Sequence, residues 1–206
     1  MCCEWVAGQL ARLVGLPTPD IRIAEVPPEL ITGSSRADAA DLGSGMVFAS
    51  QMIEDAQEVT LADLNNVPIH LQRLVLLFDW WVLNEDRTLT EFGGNPNLVW
   101  SNAAGGVQVF DLNLAFDDSL NPLRFWQLHV FREAATSGWD LAFRAEAETK
   151  LLNVLSKLDE IWQELPISWL YPGGDVSSPV ALDRTTVERM LRRFQTEQDA
   201  FWRVER

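Results

Sequence analysis

The sequence predicts an α+β fold, and three observations predict it. Within the first fifty positions, short segments carry a strand-like pattern. A polar, glycine-containing loop and a hairpin signature lie in the middle of the chain. From Leu123 onward, apolar residues recur at helical spacing. With 206 residues, 47% hydrophobic and 22% charged, the chain can bury a core and has no disordered composition. Asp and Glu number 30 against 16 Lys and Arg, a formal charge of −14. That balance excludes direct binding to bare nucleic acid or an anionic bilayer, since both need a basic surface. A nucleotide is not excluded, because a metal ion and backbone amides can hold it.

Residues 3–15 form an expected helix: Val6, Leu10, Leu13 and Val14 share a face, and Gly15 with Pro17 ends it. Ile21–Val26 is an expected strand, stopped by Pro27 and Pro28. Residues 32–45, rich in Gly, Ser, Ala and Asp, are an expected loop. Met46–Ile53 is expected as a buried strand, and 54–66 as an acidic linker with a short helical piece. His70–Leu83 is apolar nearly all round, as in a helix sunk in a core, and Trp80 and Trp81 belong to that core. Leu98–Trp100 and Val107–Phe110 flank the turn Asn102–Gly106, the pattern of a hairpin. Residues 149–165 and 184–206 are expected helices, the second capped by Asp183, with a loop at 171–178 between them. Arg184, Arg189, Arg192 and Arg193 are placed on a solvated face of the last helix.

Other chemistry is thinly supplied. Cys2 and Cys3 are adjacent and give no disulfide framework. With His70 and His129 they give no credible His/Cys metal spacing, and neither histidine has an evident partner set. The start MCCEW lacks the pattern of a secretory signal, and the longest apolar run, Leu74–Leu83, carries Asp79. The expectation is a cytoplasmic protein with no membrane span.

One segment concentrates polar residues in a telling order: Asp86 directly after the apolar helix, Asn95 or Asn97 just before the first hairpin strand, and Asp111 at the end of the second. A hairpin sets its outer ends side by side, so the amide and Asp111 are brought together. A carboxylate and an amide oxygen suit Mg²⁺, and one further carboxylate suits a hydroxyl that must lose its proton. Taken singly, Asp86-Arg87 reads as a surface turn or ion pair and Asn95-Pro96-Asn97 as a turn. The combination in this order is far rarer.

The runs DWWVLNEDRT, GNPNLVW and VQVFDLNLAF resemble the HipA-like kinases, whose catalytic loop reads Asp-Arg-x-x-x-Asn and whose metal-binding Asp follows on the next strand. The flanks EWVAGQLARLVGLPTPDIRIAEVPPELI, GMVFASQMI and LPISWL are similar to the family's first helix and strand, its hinge strand and a C-terminal segment. The resemblance implies a protein-kinase-like fold with a truncated N-terminal lobe. Residues 1–66 would form a partial N-lobe of helix, strands and hinge, and 67–206 a helical C-lobe with catalytic loop and hairpin. It implies Mg-ATP-dependent phosphotransfer to a hydroxyl, that of a protein Ser or Thr, with a nucleotide, a protein substrate or an antitoxin-like chain as partners. Asp86 would be the catalytic base, Asn95 or the competing Asn97 a metal ligand, and Asp111 the carboxylate holding Mg²⁺ against ATP. Glu4 would match the helix glutamate that pairs with the ATP-binding lysine. Gln51 and Met52 would sit where the hinge meets adenine.

The sequence departs from the family pattern in two ways. The interval from Asp86 to Asn95 is longer, with Thr90–Gly93 as an insertion. The chain's two lysines are Lys150 and Lys157, so no lysine strand or Gly-rich phosphate loop precedes the first helix. The alternative is therefore a catalytically impaired pseudokinase or partner-binding module.

Overall fold

In a computed structural model, described over residues 1–171 and 182–205, the chain is mixed α and β with small sheets. Helix α1 (Cys2–Val14) buries Trp5, Val6, Leu10 and Val14, whereas Leu13 points outward. It ends on Gly15 at φ 90°, whose N–H returns to the last-turn carbonyls; a side chain there would be strained. Strand β1 (Ile21–Val26) pairs antiparallel with β2 (Gly45–Ser50), Ile21 opposite Ser50 and Val26 opposite Gly45. Between them the expected loop contains helix α2 (Pro28–Thr32) and a 3-10 turn at Ala39–Leu42. The expectation of a buried strand at 46–53 is corrected. β2 stops at Ser50 and only Val47 is buried, because a two-stranded ribbon has two open edges and covers just one face.

Strand β3 (Gln57–Glu58) joins β4 (Leu98–Ser101), and β4 joins β5 (Gly106–Val109), giving a three-stranded antiparallel sheet in that order. Helix α3 (Ile69–Val82) runs into the core, and every residue from Val75 to Val82 is buried. Its tryptophans are core residues with their polar edges satisfied. Trp80 Nε1 donates to Phe201 O at 2.8 Å, and Trp81 Nε1 to Leu191 O at 2.7 Å.

The remainder is helical: α4 (Pro122–Leu128), α5 (Leu141–Leu155), α6 (Leu158–Gln163), α7 (Ile167–Leu170), α8 (Arg184–Leu191), α9 (Arg193–Thr196) and α10 (Gln198–Phe201). The two long expected helices are thus segmented. At the first break the Ser156 hydroxyl donates to Asn153 O at 2.6 Å, a local bond that competes with helix continuation. Asp183 does cap α8, accepting from Thr186 N at 3.0 Å. The expected loop 171–178 lies, after Tyr171, outside the described residues.

Arg184 and Arg192 pair with Glu188 as a solvated face should. Arg193 does not. It donates to Trp80 O at 2.6 Å and stacks on Trp80 and Phe201, and burial pulls its guanidinium down to about 10. The buried side chains form one continuous cluster, in which α1 packs on α5 and α6. Both cysteines are free, and burial pushes both thiols up, away from the reactive thiolate. Among the described residues no helix is long and apolar enough to cross a membrane.

Candidate active site

The site begins with a charge inside a hydrophobic helix. Asp79 lies in the last turn of α3 and is fully buried. An isolated carboxylate there would be prohibitively costly, so it must collect donors. Leu83 ends the helix in the left-handed conformation, φ 57°, and folds the following residues back toward Asp79. Arg87 Nε then reaches Asp79 Oδ2 at 2.7 Å and Asn84 Nδ2 reaches Oδ1 at 3.0 Å. His129, just after α4, adds Nε2 at 3.0 Å from Asp79 Oδ2. Phe131 N–H donates to His129 Nδ1, so the proton of the neutral ring sits on Nε2 and points at Asp79. Burial pulls His129 below its ordinary range and outweighs the bond it donates to Asp79. Burial alone would raise Asp79, but Arg87 and His129 together hold it below the usual carboxylate range.

Arg87 is as buried as its partner, and it faces three ways. Its Nη1 donates to Asn97 O at 2.6 Å and to Pro96 O and Phe110 O, both at 3.3 Å. One guanidinium therefore ties α3 to the residues entering β4 and those leaving β5. The reading of Asp86-Arg87 as a surface pair is corrected. His129, for which the sequence shows no evident partner set, has two partners here, Asp79 and the Phe131 amide.

This hub places the candidate residues. Asn97, buried and left-handed at φ 47°, donates from Nδ2 to Asp86 Oδ2 at 2.8 Å. The other oxygen, Asp86 Oδ1, is buried and has no hydrogen-bond partner. Burial pushes the Asp86 carboxyl up; Arg87 and the Asn97 bond oppose this, while Asp111 and Asp79 add to it. Asp111, also left-handed at φ 56°, follows Phe110, whose N–H donates to Asn97 O at 3.2 Å. Held left-handed residues cluster where function demands a particular geometry.

Beyond Asp111 stands Glu4 of α1. Its Oε2 accepts from Leu112 N at 3.1 Å, and its carboxyl faces that of Asp111. Burial first, then Asp111, push Glu4 up to about 7, against the pull of the Leu112 amide. The pair borders a cavity of about 260 Å³ whose walls include Gly8, Ile21, Phe48 and Phe110. Asp86 opens on a second cavity, about 510 Å³, bounded by Glu85, Asn95, Asp117 and Arg124.

Asn97 thus touches Asp86, and the charge of Asp111 acts on both Asp86 and Glu4. Asn95 is not among them; it is exposed on the rim of the second cavity, its carbonyl bonded to Thr88 N at 2.9 Å. Gln51 and Met52 border a third cavity, which shares Thr18 and Pro19 with the first. The Gln51 N–H is spent on Asp20 O at 2.8 Å, and the Met52 side chain is exposed. Among the described residues no three His, Cys, Asp or Glu side chains gather around one point as a metal cage. Two acids and an amide remain, which suits a cation that keeps waters and substrate oxygens in its shell.

A model of the HipA-like kinase family matches residues 1–205. No curated protein matches the chain.

Removing Asp79 strands a buried guanidinium. Asp79→Ala is expected to cost about 3–5 kcal/mol in equilibrium denaturation. The double variant Asp79→Leu/Arg87→Met is expected to recover part of that loss; an Asp79→Ala cost below about 1 kcal/mol would contradict a dry hub.

The raised carboxyl of Glu4 makes stability depend on pH. The folded state holds this proton to about 7 and the unfolded chain only to the ordinary value near 4.5. Its contribution is therefore full below the ordinary value and lost as pH rises through 7. Melting temperature is expected to fall across that window, and Glu4→Gln to flatten the fall. Parallel curves for the two proteins would refute the raised carboxyl.

Proposed function

The chain belongs to the HipA-like kinase family, which carries a kinase-type function and nucleotide use, and from that premise we propose that it transfers the γ-phosphoryl group of Mg-ATP to a protein Ser or Thr hydroxyl. The observation that carries this reading is the bond from Asn97 Nδ2 to Asp86 Oδ2, with Asp86 Oδ1 buried and unpartnered and the charge of Asp111 felt at Asp86. The proposal keeps a protein-kinase-like division, a front part at 1–66 and a helical part at 67–206, with the nucleotide between.

The residues fit Mg-ATP. Asp111 supplies carboxylate oxygen and Asn97 keeps its side-chain carbonyl available, since only its Nδ2 is engaged with Asp86. Asn95, out on the rim, is the second choice. The carboxyl of Glu4, raised to about 7 by burial and by Asp111, marks a place where negative charge is crowded and a cation is welcome. Magnesium, when bound, offsets phosphate charge as it shifts from the γ-phosphorus to the leaving oxygen. Asp86 orients the acceptor hydroxyl and takes its proton as the new O–P bond forms and the bond to ADP breaks. A carboxyl raised by burial is a better base than an ordinary one. The adenine lies toward Gln51 and Met52. With the Gln51 amide already engaged, Met52 is the better placed backbone contact.

A second reading rests on Glu4. It faces another acid, and the cation that acts on it is the N-terminal ammonium rather than a lysine. A pseudokinase that binds nucleotide or a partner without transfer accommodates this.

Saturating Mg-ATP is expected to stabilise the full chain, by about 2.7 kcal/mol at a hundredfold excess over Kd. Asp111→Asn should lose that gain. Asp86→Asn should keep it but lower transfer by about 10²–10⁴. Nucleotide stabilisation without transfer selects the pseudokinase, and no stabilisation of the wild type removes both nucleotide readings.

A further inference from the structure

The insertion between Asp86 and Asn97 is not a slack loop. Thr88 N–H donates to Asn95 O at 2.9 Å, and Thr90 and Gly93 exchange two backbone bonds at 3.0 Å, making a small hairpin over residues 88–95. The Thr90 hydroxyl braces the turn, bonded to Gly93 O at 3.0 Å and accepting from Phe92 N at 3.2 Å. Its base is fastened to the body: Arg132 donates to Leu89 O at 3.1 Å, and Thr88 bridges to His129. At Gly94, φ +155°, an added Cβ would lie 2.4 Å from Thr88 O, so the strands close as tightly as they do only with glycine there.

This rigid hairpin holds up Glu91 and Phe92, and Phe92 is 92% exposed. Among the described residues it is the most exposed large hydrophobic side chain, and the braced tip presents its ring as a flat face open to a cation. The hairpin base, Thr88 and Asn95, borders the cavity onto which Asp86 opens. Three residues separate Asn95 from Phe92, a reach of at most about 10 Å at 3.3 Å per extended residue. The cavity margin carries Glu85, Asp86 and Asp117 against Arg124, in a chain of net charge −14. Glu85 already holds Arg124 at 3.1 Å, so Asp117 and Glu91 are the charges left to face a visitor.

We propose that hairpin 88–95 reads the acceptor: an extended polypeptide whose Ser or Thr reaches Asp86 lays a basic side chain, about three residues away, on Phe92 and Glu91. The guanidinium stacks on the ring and pairs with the carboxylate, and the acidic margin favours a basic segment over an acidic one. This substrate class rests on the proposed kinase function, but its recognition step does not need transfer.

The test uses fluorescein-labelled alanine-rich peptides with Ala at the acceptor position and either Arg or Glu three residues away, titrated by anisotropy against the full chain. Wild type is expected to bind the Arg peptide at least tenfold more tightly. Phe92→Ser and Glu91→Gln should each weaken it several-fold, Phe92→Trp should retain it, and the Mg-ATP thermal shift should not change in any of them. Equal binding of the two peptides, no binding of either, or indifference to Phe92→Ser overturns the proposal. A concentration-dependent dimer that Phe92→Ser abolishes also overturns it, since the tip would then be covered by a second copy. Discrimination without transfer to the Ser-containing peptide sinks the kinase reading alone, and transfer without discrimination sinks this one alone.

Discussion

The ion pair between Asp79 and Arg87 is the constraint from which the rest of the site follows. Neither group can be buried alone at tolerable cost, and together they satisfy each other only if the chain turns back on itself after α3. Having turned, Arg87 has hydrogen atoms to spare, and it spends them on the carbonyls of Pro96, Asn97 and Phe110. Those carbonyls flank the amide of Asn97 and the acid of Asp111. A structural ion pair thus fixes the spacing of candidate site side chains that it never touches. Its worth lies in specifying one arrangement rather than in net stability.

Strain and electrostatics converge at the same place. Leu83, Asn97 and Asp111 are all left-handed without being glycine, and all three lie at the ends of elements that the Arg87 hub connects. Two of the nearby carboxyls, Glu4 and Asp86, are pushed upward by burial and by other acids. Such crowding works against folding and is sustained by the surrounding core, including the fully buried second half of α3.

Much of this was legible in the residues. The buried helix, the hairpin and the order Asp86, Asn, Asp111 follow from periodicity and turn chemistry. The choice between Asn95 and Asn97 did not, because two residues of separation in a loop fix no direction. In the structure the buried Asn97 contacts Asp86 and the exposed Asn95 does not. The hub was missed although it left a signal. An acid inside an apolar helix requires a buried donor, and Arg87 is the first strong one after the helix. His129 left no such trace, since its partner lies fifty residues away. The segmentation of the last helices also escaped, because an apolar stripe keeps its period across a short break.

Trp169 of α7 adds a mechanical consequence. Its indole N–H donates to Met46 O at 2.6 Å, while its carbonyl accepts from Cys2 Sγ at 3.7 Å. A residue late in the chain is thereby clasped between the ribbon of β1 and β2 and the helix that bears Glu4. Any swing of that ribbon away from the helix must first release the indole, so the breathing of the small cavity is throttled by a latch some 120 residues downstream.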